Sequence, residues 1–147
     1  MRSAIVDHVI DPAVLTAEVA HDRNGATVLF LGTVRETNDG RSVTGIEYSA
    51  YRSMAERELA AIVAEATGEF GTPDIVVEHR VGTLEIGEVS VAIAVAHPHR
   101  GAAYDASRYV IEQIKRRVPI WKCEHYADGT REWVDPTARR AVAEAAR

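Results

Sequence analysis

One cysteine in 147 residues, Cys123, leaves the chain without an intrachain disulfide, and a reducing compartment fits that. Long apolar runs are missing too. The longest, Val89 to Ala96, is broken by Ser90 and falls far short of the roughly 20 residues that span a bilayer. Met1-Arg2-Ser3-Ala4 carries none of the apolar core of a signal peptide, so a cytoplasmic location is expected. Positive charge is in deficit: 17 Lys and Arg face 22 Asp and Glu, a net charge of -5. That argues against a general nucleic-acid binder and makes any basic site a local one. There is no glycine-rich phosphate loop, no Ser-His-Asp pattern and no paired-acid motif. Repeats, low-complexity segments and linkers are also lacking, so a single domain over 1–147 is expected, long enough to bury a core without staples.

What is present alternates between strand and helix signals. Ala4 to Ile10 reads as a strand, and Asp11-Pro12 as a helix start with Val14, Leu15 and Val19 on its apolar stripe. Ala26 to Val34 is a β-branched and aromatic run, apolar on both faces. Asp39-Gly40 marks a hairpin turn before a strand over Val43 to Ala50. Ser53 and Glu56 have capping-box spacing ahead of a helix to Phe70, ended by Gly71-Thr72-Pro73. Asp74 to Val81 and Val89 to His97 read as strands, apolar for a sheet edge, and Gly82 to Glu88 as their connection. A third helix runs from Ala102 to Arg117, with Ala103, Ala106, Val110, Ile111 and Ile114 inward, until Pro119 stops it. Ile120 to Tyr126 and Arg131 to Val134 flank Asp128-Gly129 as a hairpin. Asp135-Pro136 has the form of a helix start, and the alanine-rich end of 135–147 is open to fraying. The order β-α-β-β-α-β-β-α-β-β implies an α+β fold with a mostly antiparallel sheet and about three helices.

Basic residues gather at element ends. His99 and Arg100 sit where the third helix should begin. Cations are disfavoured there by the helix dipole, unless an anion brings backbone N–H groups, imidazole and guanidinium to one phosphate or carboxylate. The alternative is that both side chains reach into solvent. Arg35 ends the Ala26–Val34 strand, where a guanidinium fork suits phosphate; pairing with Glu36 or Asp39 would explain it equally. Lys115, with Arg116 and Arg117, closes the third helix, where cations complement the dipole. Lys122 follows Pro119, which can redirect the chain so that two ammonium groups share a pocket. Close cations depress each other's pKa and burial adds to it, giving an amine fit for proton transfer or nucleophilic attack. His97-Pro98-His99 lacks further ligands for a metal. Cys123, beside Lys122, is either a reactive thiol or a half-buried strand residue.

Phe30-Leu31-Gly32-Thr33-Val34-Arg35, Glu47-Tyr48-Ser49-Ala50-Tyr51 with Met54-Ala55, His99-Arg100, and Lys115 through Pro119-Ile120-Trp121-Lys122 occur in one order and spacing. Together they resemble the catalytic (large) subunit family of molybdopterin synthase, from about Ala26 to Val134. The resemblance implies an α/β-hammerhead fold and a sulfurtransferase of molybdenum cofactor biosynthesis. Such enzymes convert cyclic pyranopterin monophosphate (precursor Z) to molybdopterin. Sulfur comes as a thiocarboxylate on the C-terminal glycine of a small ubiquitin-like subunit, within a 2:2 heterotetramer built on a large-subunit homodimer. No metal or redox cofactor is implied.

By position, Lys115 and Lys122 match the family's two pocket lysines. Arg35, His99 and Arg100 match residues around the substrate phosphate, and Thr33, Val34, Cys123 and Glu124 fall in segments that line the pocket. Cys123 departs from the pattern, in which a basic residue commonly follows the second lysine. Two other classes compete: a non-catalytic scaffold that docks a ubiquitin-like partner, and a phosphometabolite-binding domain. The lysine pair discriminates, because a scaffold needs no convergent amines.

Overall fold

The computed structural model describes residues 1–134; the expected C-terminal helix over 135–147 lies outside the described residues. The elements are β1 (Arg2–Val6), α1 (Pro12–Val19), β2 (Ala26–Thr33), β3 (Thr37–Asn38), β4 (Arg41–Ala50), α2 (Arg52–Phe70), β5 (Ile75–Arg80), β6 (Gly82–Glu85), β7 (Val89–His97), α3 (Arg100–Arg117), β8 (Ile120–Tyr126) and β9 (Arg131–Val134). They form two sheets. The first has the order β1-β5-β7-β2, and the second runs β3-β4-β8-β9 with β6 also on β4. Among the described residues only the β1–β5 pairing is parallel. This is the expected α+β, hammerhead-like architecture, with three helices among the described residues and mostly antiparallel sheets.

The first sheet is covered on both faces. Alternate residues of β7 divide the work, as the two-residue strand period requires. Val91, Ile93 and Val95 pack with Leu59, Ile62 and Val63 of α2 and Ala106, Val110 and Ile114 of α3. Ala92, Ala94 and Ala96 meet Leu15 and Val19 of α1. Alanine on that face lets a helix of only eight residues lie close to the sheet. A smaller cluster of Val34, Val43, Ile46, Leu84 and Tyr126 lies under the second sheet.

Local chemistry sets most boundaries. The Asp11 carboxylate caps α1 by accepting the Ala13 N–H at 3.0 Å, with Pro12 in the first turn. Asp39 and Gly40 have φ of 49° and 77°, the pair of positive values that a type I′ hairpin turn demands. Gly71, at φ 69°, ends α2 and its N–H donates to the Thr67 carbonyl.

Four expectations are corrected. β1 ends at Val6 rather than Ile10, because Val6 makes the last ladder pair, with Arg80. The Ser53–Glu56 capping box does not form: α2 starts at Arg52 after Tyr51, whose side chain makes no cap. Arg52 instead binds Glu56 at 3.1 Å and the Ile5 carbonyl at 2.8 Å. The connection Gly82 to Glu88 contains β6, which pairs with Gly45–Tyr48 and carries the chain from one sheet to the other. Gly82, at φ 107°, makes that crossing. Finally, β5 and β7 are inner strands; the apolar edge is β2, where Leu29 and Leu31 each stay 38% exposed.

Candidate active site

The end of α3 and the start of β8 build the site. Val118 takes extended geometry ahead of Pro119, and the Ile120 N–H donates to the Val118 carbonyl at 2.9 Å. The chain therefore reverses within two residues. Buried Ile114 and Val118 fix the last turn of α3 on either side of Lys115. Lys122 lies on β8 directly opposite Tyr48 of β4. Lys115, Lys122, Arg35, Thr33, Tyr48 and Glu124 all line one cavity of about 170 Å³.

The two amines are held differently. The Lys122 ammonium donates to Glu124 at 3.0 Å. Glu124 is 2% exposed and also accepts from the Asn38 amide and the Tyr126 hydroxyl. Burial pushes this carboxyl up, but the bonds from Tyr126, Lys122 and Asn38 outweigh it and hold the pKa below the ordinary value. Glu124 thus stays ionised as Lys122's counter-charge. Lys115 has no carboxylate partner among the described residues. Burial first, then the Lys122 charge, lowers its pKa, so it releases a proton more readily than a solvated lysine. Nearby, His79 is 3% exposed. Burial, with Lys115 adding to it, lowers its pKa to about 4, so it adds no charge. Its ring meets the Tyr48 ring edge-on at 5.5 Å.

Not every expected residue reaches this cavity. Val34 turns into the small core beneath the second sheet. Cys123 is buried, paired in register with Glu47 and Trp133, on the face of β8 opposite Lys122 and Glu124. His99 and Arg100 line a separate open hollow with Gly25, Pro98 and Gly101. They stand at the other end of α3, about 22 Å from Lys115 by helical rise. One chain alone therefore joins Arg35 to the lysines but not to His99 and Arg100. Arg35 does not pair with Glu36; it makes no ion pair among the described residues.

Sequence reasoning missed roles for Tyr48, Asn38, Tyr126 and His79. The period-two alternation Ile46, Tyr48 on β4 places Tyr48 on the pocket face and was readable. Asn38 needed the hairpin geometry, and His79 needed the packing of two sheets.

Comparisons with known proteins agree on one family. The family model described as MoaE protein matches residues 5–117. The molybdopterin synthase catalytic subunit of Halalkalibacterium halodurans is 45% identical over 128 residues, covering 87% of this chain and 82% of that protein. The X-ray crystal structure of molybdopterin synthase from Staphylococcus aureus has a TM-score of 0.84 and 39% identity, covering 89% of this chain and 95% of that one. A protein–protein complex of subunits 1 and 2 of molybdopterin-converting factor from Helicobacter pylori 26695 contains a chain with a TM-score of 0.71. At 22% identity, covering 90% of this chain and 89% of that one, it shows the fold.

Proposed function

This chain belongs to the MoaE protein family, and we propose that it acts as the catalytic subunit of a molybdopterin synthase, a sulfurtransferase of molybdenum cofactor biosynthesis. The observation that carries the reading is the convergence of Lys115 and Lys122, from two elements, on one cavity that also holds Arg35. A docking scaffold has no use for a half-buried amine with a lowered pKa.

The substrate is cyclic pyranopterin monophosphate, and the sulfur donor is a small ubiquitin-like subunit ending in a glycine thiocarboxylate. The thiocarboxylate is an anion, so the lysines draw it to the cavity. Its sulfur bonds to a pterin side-chain carbon as a carbon–oxygen bond at that carbon breaks, the departing oxygen keeping the electron pair and taking up a proton. Water then cleaves the acyl–sulfur linkage, leaving sulfur on the pterin and a carboxylate on the tail. Lys115, with its lowered pKa, moves the proton. Lys122, ion-paired with Glu124, stabilises the developing oxyanion and the product carboxylate. Arg35 binds the phosphate. His99 and Arg100 complete that clamp from a second copy of the chain, because their own helix holds them far from Lys115. The exposed Leu29 and Leu31 of β2, with a groove between β2 and Tyr104 of α3, supply an apolar face for that homodimer. One small subunit on each side gives a 2:2 assembly.

The deciding experiment supplies the purified chain with precursor and thiocarboxylated small subunit. Molybdopterin should form only when both are present. Product formed without the thiocarboxylate, or none formed with it, overturns the reading.

A further inference from the structure

We propose that His97 is a positioning residue: its neutral imidazole locks the turn from Pro98 to Arg100, so that the start of α3 presents His99 and Arg100 to an anion. The proposal rests on the reading of those two residues as anion-binding.

His97 closes β7. Its Nδ1 lies 2.9 Å from the His99 backbone nitrogen, and its Nε2 lies 2.9 Å from the Phe70 carbonyl oxygen. An amide N–H can only donate and a carbonyl can only accept, so the tautomer is fixed. The proton sits on Nε2 and the lone pair on Nδ1. Phe70 is the last residue of α2 and His99 is the cap residue of α3. One imidazole therefore serves an orphan carbonyl of one helix end and an amide at the next helix start.

Its surroundings brace the same turn. The Gly25 N–H donates to the His97 carbonyl at 3.2 Å. A Cβ on Gly25 would lie 2.8 Å from the Pro98 carbonyl oxygen, so only glycine allows β2 to start this close. The Thr72 hydroxyl donates to the Ala96 carbonyl at 2.6 Å.

Among the described residues, the only polar or ring contact of a side chain at this pair is the His99 ring against the His97 ring, at 5.9 Å. The His99 side chain does not cap α3, and Arg100 makes no ion pair among the described residues. The helix dipole opposes a cation at this end. Arg100 is thus kept near the free amides by backbone bracing rather than by attraction. An anion arriving there meets a cradle whose ordering is already complete. His97 does here what an asparagine does in an Asx turn, accepting the N–H two residues on.

That equivalence supplies the test, made with the assembled synthase. His97→Leu removes both bonds, whereas His97→Asn keeps an acceptor for the His99 amide. His97→Leu should raise KM for the pterin precursor about 3- to 10-fold, the effect of one lost neutral hydrogen bond, with kcat nearly unchanged. His97→Asn should restore most of KM. The proposal is overturned if His97→Leu leaves KM unchanged while Arg100→Ala raises it. It is also overturned if His97→Leu lowers only kcat and Asn fails to rescue, the mark of a helix staple alone. If Arg100→Ala itself leaves KM unchanged, the anion reading fails and takes this proposal with it. Nitrogen-15 NMR of the wild-type ring needs no variant to fold: an Nε2-protonated tautomer at neutral pH is expected, and an Nδ1-protonated one is decisive against the lock.

Discussion

The two ends of α3 carry cations in opposite circumstances. At its C-terminal end, Lys115 is largely withdrawn from water, Lys122 stands beside it, and a buried carboxylate completes the group. At its N-terminal end, His99 and Arg100 are exposed, opposed by the helix dipole and held by backbone bracing. Burial changes what an amine can do; exposure leaves a guanidinium to bind and release. On the proposed reading, chemistry belongs to one end and capture to the other.

The largest expected effect is at the buried end. Lys115→Ala should lower kcat by roughly 10²- to 10⁴-fold, the range for lost acid–base help, with a smaller loss for Lys122→Ala. Turnover in a folded Lys115→Ala enzyme within a few-fold of wild type would dissolve the distinction between the two ends. Glu124→Ala should come next, and in stability rather than in rate alone. It removes the acceptor of the half-buried Asn38 amide and leaves the Tyr126 hydroxyl only Glu132, at 3.5 Å, at up to about 1–3 kcal/mol for each. Urea unfolding measures this; Glu124→Gln, which keeps the shape and one acceptor, should lose less. An unchanged midpoint in Glu124→Ala would mean that the carboxylate is not part of the frame.

At the exposed end the effect should appear in binding only. Arg100→Ala removes a charge-assisted hydrogen bond, about 1.5–3 kcal/mol of precursor affinity, with the unfolding midpoint and small-subunit binding unaltered. Arg35→Ala should weaken the precursor similarly, though from the lysine side. Calorimetry showing normal precursor affinity in both variants removes the clamp. Equal loss of stability in Arg100→Ala and Glu124→Ala would instead remove the contrast between the ends.

Much of this was legible in the sequence, for identifiable reasons. Asp11-Pro12, Asp39-Gly40, Gly71 and Pro119 are local signals whose chemistry does not depend on the rest of the fold. β6 escaped because its four residues, Gly82–Glu85, acquire a strand's role only from pairing with β4. The capping box failed for a tertiary reason: Arg52 reaches the Ile5 carbonyl of β1 and takes Glu56 with it. At the site, the convergence of Lys115 and Lys122 followed from a proline between a helix and a strand. Glu124 was noticed only as a neighbour, since its burial and three donors come from β3, β8 and the packing of two sheets. The separation of His99 and Arg100 from Lys115 was also present in the sequence, as fifteen residues of one helix, and helical rise alone would have given it.

The smallest expected effect tests the electrostatic side of the contrast directly. In the folded chain the pKa of Lys115 lies below its ordinary value of 10.5, from burial and from Lys122. Between the folded and unfolded pKa values, the unfolded state binds more protons than the folded one. Stability must therefore rise with pH across that window, and the group's penalty is fully present below it. Lys115→Met removes the titration while keeping an unbranched apolar stem. The variant should gain stability relative to wild type at neutral pH, and the difference should shrink as pH climbs towards 10.5. Arg100→Met has no buried cation to remove, so its difference from wild type should stay flat over the same range. Urea midpoints taken from pH 7 upwards give both slopes. If the Lys115→Met difference is as flat as that of Arg100→Met, the lysine is solvated in the folded state, and the two ends of α3 differ in position but not in chemistry.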